Sequence, residues 1–322
     1  MKSRIQKKLS RPMHQARPES LGLKRGLAVL VLAILPFFLT SCGGDSKSKP
    51  ALNAVAWGDD GFVAVGENGH ILTSSDGTDW KLIAGKAALP TLTSVVWTGE
   101  LFIAAGGGGN TIWWASPEDW STGTVGAEND IYGLTNSPQG VLAVGVGGVV
   151  FLTQDGVAWE RIETGILETL RQVAWGDDKY VAVGEAGGIW TSADARTWVK
   201  AVLPEGEFTL LLTVGFGEGL FLASGAEGVI LQSLGGEDWS QKSVFATQPI
   251  FGITAGQGIF ILVGANGAVL QTVDGSRFYS SGVPGAEQLN GVTFGNEKFV
   301  TVGSDERIFA SLDGVSWAEV HR

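Results

Sequence analysis

The 322-residue chain has one cysteine, three histidines and two methionines. One thiol excludes an internal disulfide framework, and beyond residue 42 only His70 and His321 remain, too few for a multi-histidine metal centre. Sustained helical periodicity is missing beyond the apolar run that ends at Thr40. Positive charge is scarce outside the N-terminus. Eight of the 22 Lys and Arg residues fall within the first 25 positions (Lys2, Arg4, Lys7, Lys8, Arg11, Arg17, Lys24, Arg25), beside one acid, Glu19. The chain after residue 42 therefore keeps 14 basic side chains against 32 acidic ones, a net charge of −18. Such a surface repels phosphate backbones and excludes nucleic acid as a partner. Glycine (48 residues) and apolar residues (44%) are plentiful, enough for a large core.

The basic N-terminus runs into Gly26–Thr40, 15 apolar residues. That length is short for a membrane span and right for a signal-peptide core. Leu39-Thr40-Ser41-Cys42 follows and resembles a bacterial lipobox, which implies cleavage before Cys42 and a diacylglycerol on its sulfur. Residues 1–42 are thus expected to be a lipoprotein signal peptide with its lipobox, and 43–51 a flexible tether. "GGDSKSKP", Gly43 to Pro50, reaches at most about 28 Å from the bilayer. Gly43 stands where Asp would retain a lipoprotein at the inner membrane, so the resemblance implies a bacterial cell-envelope protein anchored at the outer membrane.

Residues 52–322 repeat. Trp80, Trp120, Trp159, Trp198, Trp239, Phe278 and Trp317 lie 40, 39, 39, 41, 39 and 39 residues apart. Fourteen residues before each stands a glycine (Gly66, Gly106, Gly145, Gly184, Gly225, Gly264, Gly303). Twenty-eight before each stands an apolar residue (Leu52, Leu92, Ile131, Leu170, Leu211, Ile250, Leu289). A reaction needs one site, whereas a structural unit repeats. The first copy holds four β-prone runs, Leu52–Trp57, Phe62–Val65, His70–Ser74 and Trp80–Ile83, split by "GDDG", "GENG" and "SDGTD". A small four-stranded sheet cannot bury both of its faces alone, but seven arranged radially can. The expected fold is all-β: a seven-bladed β-propeller with four antiparallel strands per blade. Every repeat has the same phase, so no strand is left over to lock the ring, and closure is expected to rest on packing between blades one and seven.

The turn before each anchor reads "SSDGTDW" in the first copy. Its Asp can accept backbone N–H bonds, its Gly can take positive φ, and its Trp can cover the hairpin. Asp76, Asp155, Asp194, Asp274 and Asp313 hold the Asp position; Trp80, Trp159, Trp198, Trp239 and Trp317 are the tryptophan anchors. Ser116 and Gly235 replace Asp in the second and fifth copies, and Pro117 and Ala195 replace Gly in the second and fourth. Scattered losses of this kind suit a structural role. The pattern resembles the Asp-box (BNR-like) repeat, with a turn one residue shorter. Absence of a Trp-Asp dipeptide separates it from WD40 repeats.

Sialidases carry Asp-boxes, but they need three converging arginines and an Arg-Ile-Pro signature that this chain lacks. Two carboxylates would serve another glycosidase, and acids are too common here to mark such a pair. No catalytic residue, cofactor or metal ligand is assigned. In propellers, the loops joining strands two and three collect on one face around the channel. There the repeats diverge: Asn53, Thr93, Tyr132, Arg171, Leu212, Phe251 and Asn290 occupy one inner-strand position. Residues Asn53, Glu67, Tyr132, Arg171, Glu185, Phe251, Asn290 and Arg307 are the expected partner-binding face. Trp113 and Trp114 replace the Thr-Ser of the motif in repeat two, either as an aromatic contact for a partner or sugar ring or as a repacked blade edge.

Blades and anchor together resemble photosystem II assembly-factor propellers, from which the chain departs in its shorter turn and sparse basic surface. The resemblance implies a lipid-anchored, extracytoplasmic, non-enzymatic scaffold that binds an envelope protein. A glycan-binding or glycan-cleaving propeller is the alternative, and the photosynthetic role is not transferred.

Overall fold

The computed structural model describes residues 48–322, except 60, 84–88, 117–118, 127–128, 207 and 243–246. The signal peptide, Cys42 and most of the tether therefore lie outside the described residues. Blade one is β1 (Leu52–Gly58), β2 (Gly61–Gly66), β3 (Ile71–Ser74) and β4 (Lys81–Ile83). The unit recurs as seven four-stranded antiparallel sheets, each of four consecutive strands. Each first strand packs on the first strand of the next blade, and Leu289–Gly295 of blade seven packs back on β1. The fold is a seven-bladed β-propeller.

The core explains why no blade stands alone. Seven apolar clusters are present, and each draws residues from two neighbouring blades. The second strand of each blade sits between two of them. Phe62 and Ala64 of β2 face blade seven, while Val63 and Val65 face blade two. A strand covered on both faces reads as an unbroken apolar run.

Five of the seven first strands also end in an aromatic joint, while blades three and six carry Asn136 and Ala255 in that place. Trp57 pairs across the hairpin with Phe62, ring centroids 4.5 Å apart. Trp97–Phe102, Trp175–Tyr180, Phe216–Phe221 and Phe294–Phe299 repeat the pair at 4.5–4.8 Å. The ring of one blade rests on a glycine of the blade before it. A Cβ on Gly176 would lie 2.0 Å from Phe216, on Gly256 2.2 Å from Phe294, and on Gly295 2.0 Å from Trp57.

The seam between blades seven and one has the same packing, with two additions to the face contact expected from sequence. Asn290 Nδ2 donates to Leu52 O at 2.8 Å across it. Glu306, 7% exposed, occupies a slot that is glycine in the other blades (Gly69, Gly109, Gly148, Gly187, Gly228, Gly267). At Gly69, Gly148, Gly187 and Gly267 a Cβ would meet the chain leading to the next blade at 2.2–2.7 Å. At this seam the chain leading into blade one brings Lys49 to the place, and Glu306 fills the slot. It holds φ +58, a conformation costing a non-glycine residue about 1–2 kcal/mol. Lys49 Nζ lies 3.3 Å from its Oε2, and His321 Nε2 lies 3.9 Å from its Oε1. Burial holds His321 below its ordinary pKa, which leaves Lys49 as the cation of the clasp.

Candidate interaction site at the channel mouth

The turns carrying the Asp motif are built as rivets. Asp76 Oδ1 accepts N–H bonds from Thr78 at 2.8 Å and Asp79 at 3.0 Å. Ser74 Oγ donates to Asp76 and accepts from Gly77 N at 2.8 Å. Asp155, Asp194 and Asp313 repeat the two backbone bonds, and Asp274 takes the first of them from Ser276. These bonds hold the carboxyls below the usual Asp range. Asp194 is drawn down to about 2 by Thr197 N–H and then Arg196 N–H; Asp76 is lowered further, first by the Thr78 hydroxyl.

The motif glycines take φ between +68 and +86, as at Gly77 (+78) and Gly236 (+86). Four indoles add a bond the sequence did not suggest. Trp159, Trp198, Trp239 and Trp317 donate Nε1–H to the carbonyl three residues earlier, at 2.7–3.2 Å. Blade five, which has Gly235 in place of Asp, gains outside support. Val202 of the preceding connector donates to Glu237 O and accepts from Trp239 N.

Trp114 is 2% exposed and stacks on Phe102 with centroids 5.7 Å apart. Trp114 therefore cannot touch a partner or sugar and belongs to the core between blades one and two, while Trp113 is half-buried against the cluster shared with blade three.

The channel face owes its shape to a bulge. In every blade the register slips directly after the first residue of the first strand. The slip brings the carbonyl before that strand onto the glycine of the second strand. A Cβ on Gly66 would lie 2.1 Å from Ala51 O, and one on Gly303 1.8 Å from Gln288 O. The glycine beat therefore reflects close approach. These residues are extended, Gly66 at φ −167, where any residue is allowed.

A bulge leaves one residue unpaired and re-aims its side chain. The seven bulge residues are Asn53, Thr93, Tyr132, Arg171, Leu212, Phe251 and Asn290, the position where the repeats diverge. All seven line one central cavity of about 370 Å³.

They do not contribute alike. Asn290, Asn53 and Thr93, on blades seven, one and two, bond to the next blade's first-strand carbonyls: Leu52 O (2.8 Å), Leu92 O (2.8 Å) and Ile131 O (2.5 Å). Tyr132, Arg171, Leu212 and Phe251, on blades three to six, form the other arc. The Arg171 guanidinium lies over the Tyr132 ring, 4.5 Å from its centroid, and its Nη2 is 3.1 Å from Glu185 Oε1.

Glu67, Glu185 and Arg307 are not among the lining residues. Glu67 accepts from Ala51 N at 3.1 Å. Arg307 pairs with Glu319 at 2.7 Å, lies over Phe309 and bonds Gly285 O, so it serves blade seven and its connector. Among the described residues no group of three or more His, Cys, Asp or Glu is placed to hold a metal.

No family model matches this chain, and no curated protein matches it. Solved structures do. A YCF48 bound to a D1 peptide is 15% identical, with TM-score 0.66, over 84% of this chain and 93% of that one. The WD40 propeller domain of Doa1 is 15% identical, with TM-score 0.67, over 84% and 94%. A catalytically inactive virginiamycin B lyase from Staphylococcus aureus, with quinupristin, is 10% identical, with TM-score 0.73, over 82% and 95%. The likeness is one of fold. It joins this propeller to non-enzymatic neighbours and to a lyase alike.

Proposed function

We propose that this chain is a lipid-anchored, extracytoplasmic propeller that acts as a non-enzymatic protein-interaction scaffold and grips an envelope protein at the channel mouth. One observation carries the reading. Seven equivalent bulge residues converge on one cavity, and they are of six residue types while the residues around them repeat. Among the described residues, the cavity lining holds no carboxylate and no imidazole to serve as an acid and base pair for hydrolysis. The neighbours add support: one is a YCF48 with a D1 peptide bound, and another is a WD40 propeller. Cys42 supplies the anchor, and residues 43–51 keep the domain near the membrane.

The test is a photocrosslinking residue at Phe251 in living cells, with Val157, 54% exposed in an Asp-motif turn, as the control. Capture of one envelope protein from position 251 alone is expected. Equal capture from both positions, or from the control only, would refute the reading.

A further inference from the structure

Among the described residues lining the cavity, Arg171 carries the only full charge. It is positive, in a chain whose portion beyond residue 42 carries a net charge of −18. Its guanidinium carbon lies over the Tyr132 ring, 4.5 Å from the centroid. Arginine has five N–H donors, and among the described residues only Nη2 has a partner, Glu185; Nε is buried without one. The next two bulges round the ring, in order, are Leu212 and Phe251, which place an apolar wall beside the cation. On the opposite arc, Asn290, Asn53 and Thr93 each donate a side-chain hydrogen bond to a backbone carbonyl of the next blade.

We propose, building on the mouth as the interaction site, that it takes a single carboxylate borne next to a large apolar group. The carboxylate accepts N–H bonds from the edge of the Arg171 fork, and the apolar group lies against Leu212 and Phe251. A monoanion fits better than a phosphate. Glu185 already offsets part of the arginine's charge, and no second cation lines the cavity to meet a dianion. The volume of about 370 Å³ suits one or two residues' worth of ligand. The chemistry has two sources, the end of a polypeptide with an apolar last residue, or a free aryl or alkyl carboxylic acid.

The full-length chain would be titrated calorimetrically with N-acetyl-phenylalanine, its amide, phenyl phosphate, and an eight-residue peptide ending in free phenylalanine. Saturable 1:1 binding of the acid or the peptide is expected, with the amide and phenyl phosphate weaker by about tenfold or more. Arg171→Gln should cost a similar factor, Arg171→Lys should not restore it, and Phe251→Ala should weaken binding with Arg171 intact. A peptide binding at least tenfold tighter than the acid identifies the polypeptide end as the source, and equal affinities identify the small acid. Binding of the amide as tight as the acid, indifference to Arg171→Gln, or no saturable binding by acid and peptide would overturn the proposal. If position 251 still captured a protein in cells, the carboxylate chemistry alone would fall and the scaffold reading would stand.

Discussion

The joint between blades seven and one can be stressed at a single atom. Gly295→Ala would place a Cβ 2.0 Å from Trp57 Cγ and 2.4 Å from Trp57 Cβ. Carbon atoms in contact sit about 3.5–4.0 Å apart, so the indole must retreat by roughly 1.5 Å or more. Phe62, 4.5 Å from it between centroids, blocks that path. Overpacking of this kind costs about 1–3 kcal/mol, or roughly 5–150-fold in the opening equilibrium. Gly176→Ala makes an equal clash with Phe216 at 2.0 Å, between blades that the chain joins directly. Both variants should lose similar stability in urea. Amide hydrogen exchange read by mass spectrometry should separate them. Gly295→Ala should speed exchange locally in β1 and Leu289–Gly295, where, among the described residues, packing, the Asn290 bond and the Lys49–Glu306 pair hold the seam. Unchanged stability of Gly295→Ala, or exchange rising equally in all seven blades, would refute the reasoning.

Asp155→Ala removes two backbone bonds of 2.8 and 2.9 Å whose donors water can reach, so a loss of about 1–2 kcal/mol in chemical denaturation is expected, with capture from position 251 unaffected. The motif aspartates have folded pKa values below the ordinary 3.8, so their contribution is complete above about pH 4 and is lost as pH falls through the folded values, to about 2 for Asp194. Melting temperature should drop across that window, and less steeply in Asp155→Ala. Cys42→Ala should move the protein from the membrane to the soluble fraction, and continued membrane association would mean that Gly26–Thr40 spans the bilayer.

Blade number and strand phase were legible because the burial demand repeats with the chain. Apolar residues at matching phase must all reach the same inter-blade clusters. Turn chemistry was legible at Asp76 and Gly77 because each acts within its own few residues. The bulge was hidden. It is marked only by an extended glycine such as Gly66, whose need for an absent side chain depends on Ala51 O, fifteen residues away. Asn53 and Asn290 looked free because their partners are carbonyls of another blade. Glu306 had a sequence signal, a lone acid in a glycine slot, but its purpose depends on Lys49 and His321 meeting it from opposite ends of the domain. Val202 had none, since its support of the fifth turn runs through backbone atoms.

The Lys49–Glu306 pair stands at one seam where peptide connectors stand at the other six. Circular permutation is therefore open to this domain. Joining residue 322 to residue 48 through a short spacer, and cutting the chain near Glu205 between blades four and five, would leave all seven inter-blade cores intact. In such a molecule Glu306 would meet a covalent neighbour in its slot. Lys49 and Glu306 both remain in that molecule, so the clasp persists beside the new link, and Glu306→Gly, which relieves φ +58, should cost less stability there than in the natural order.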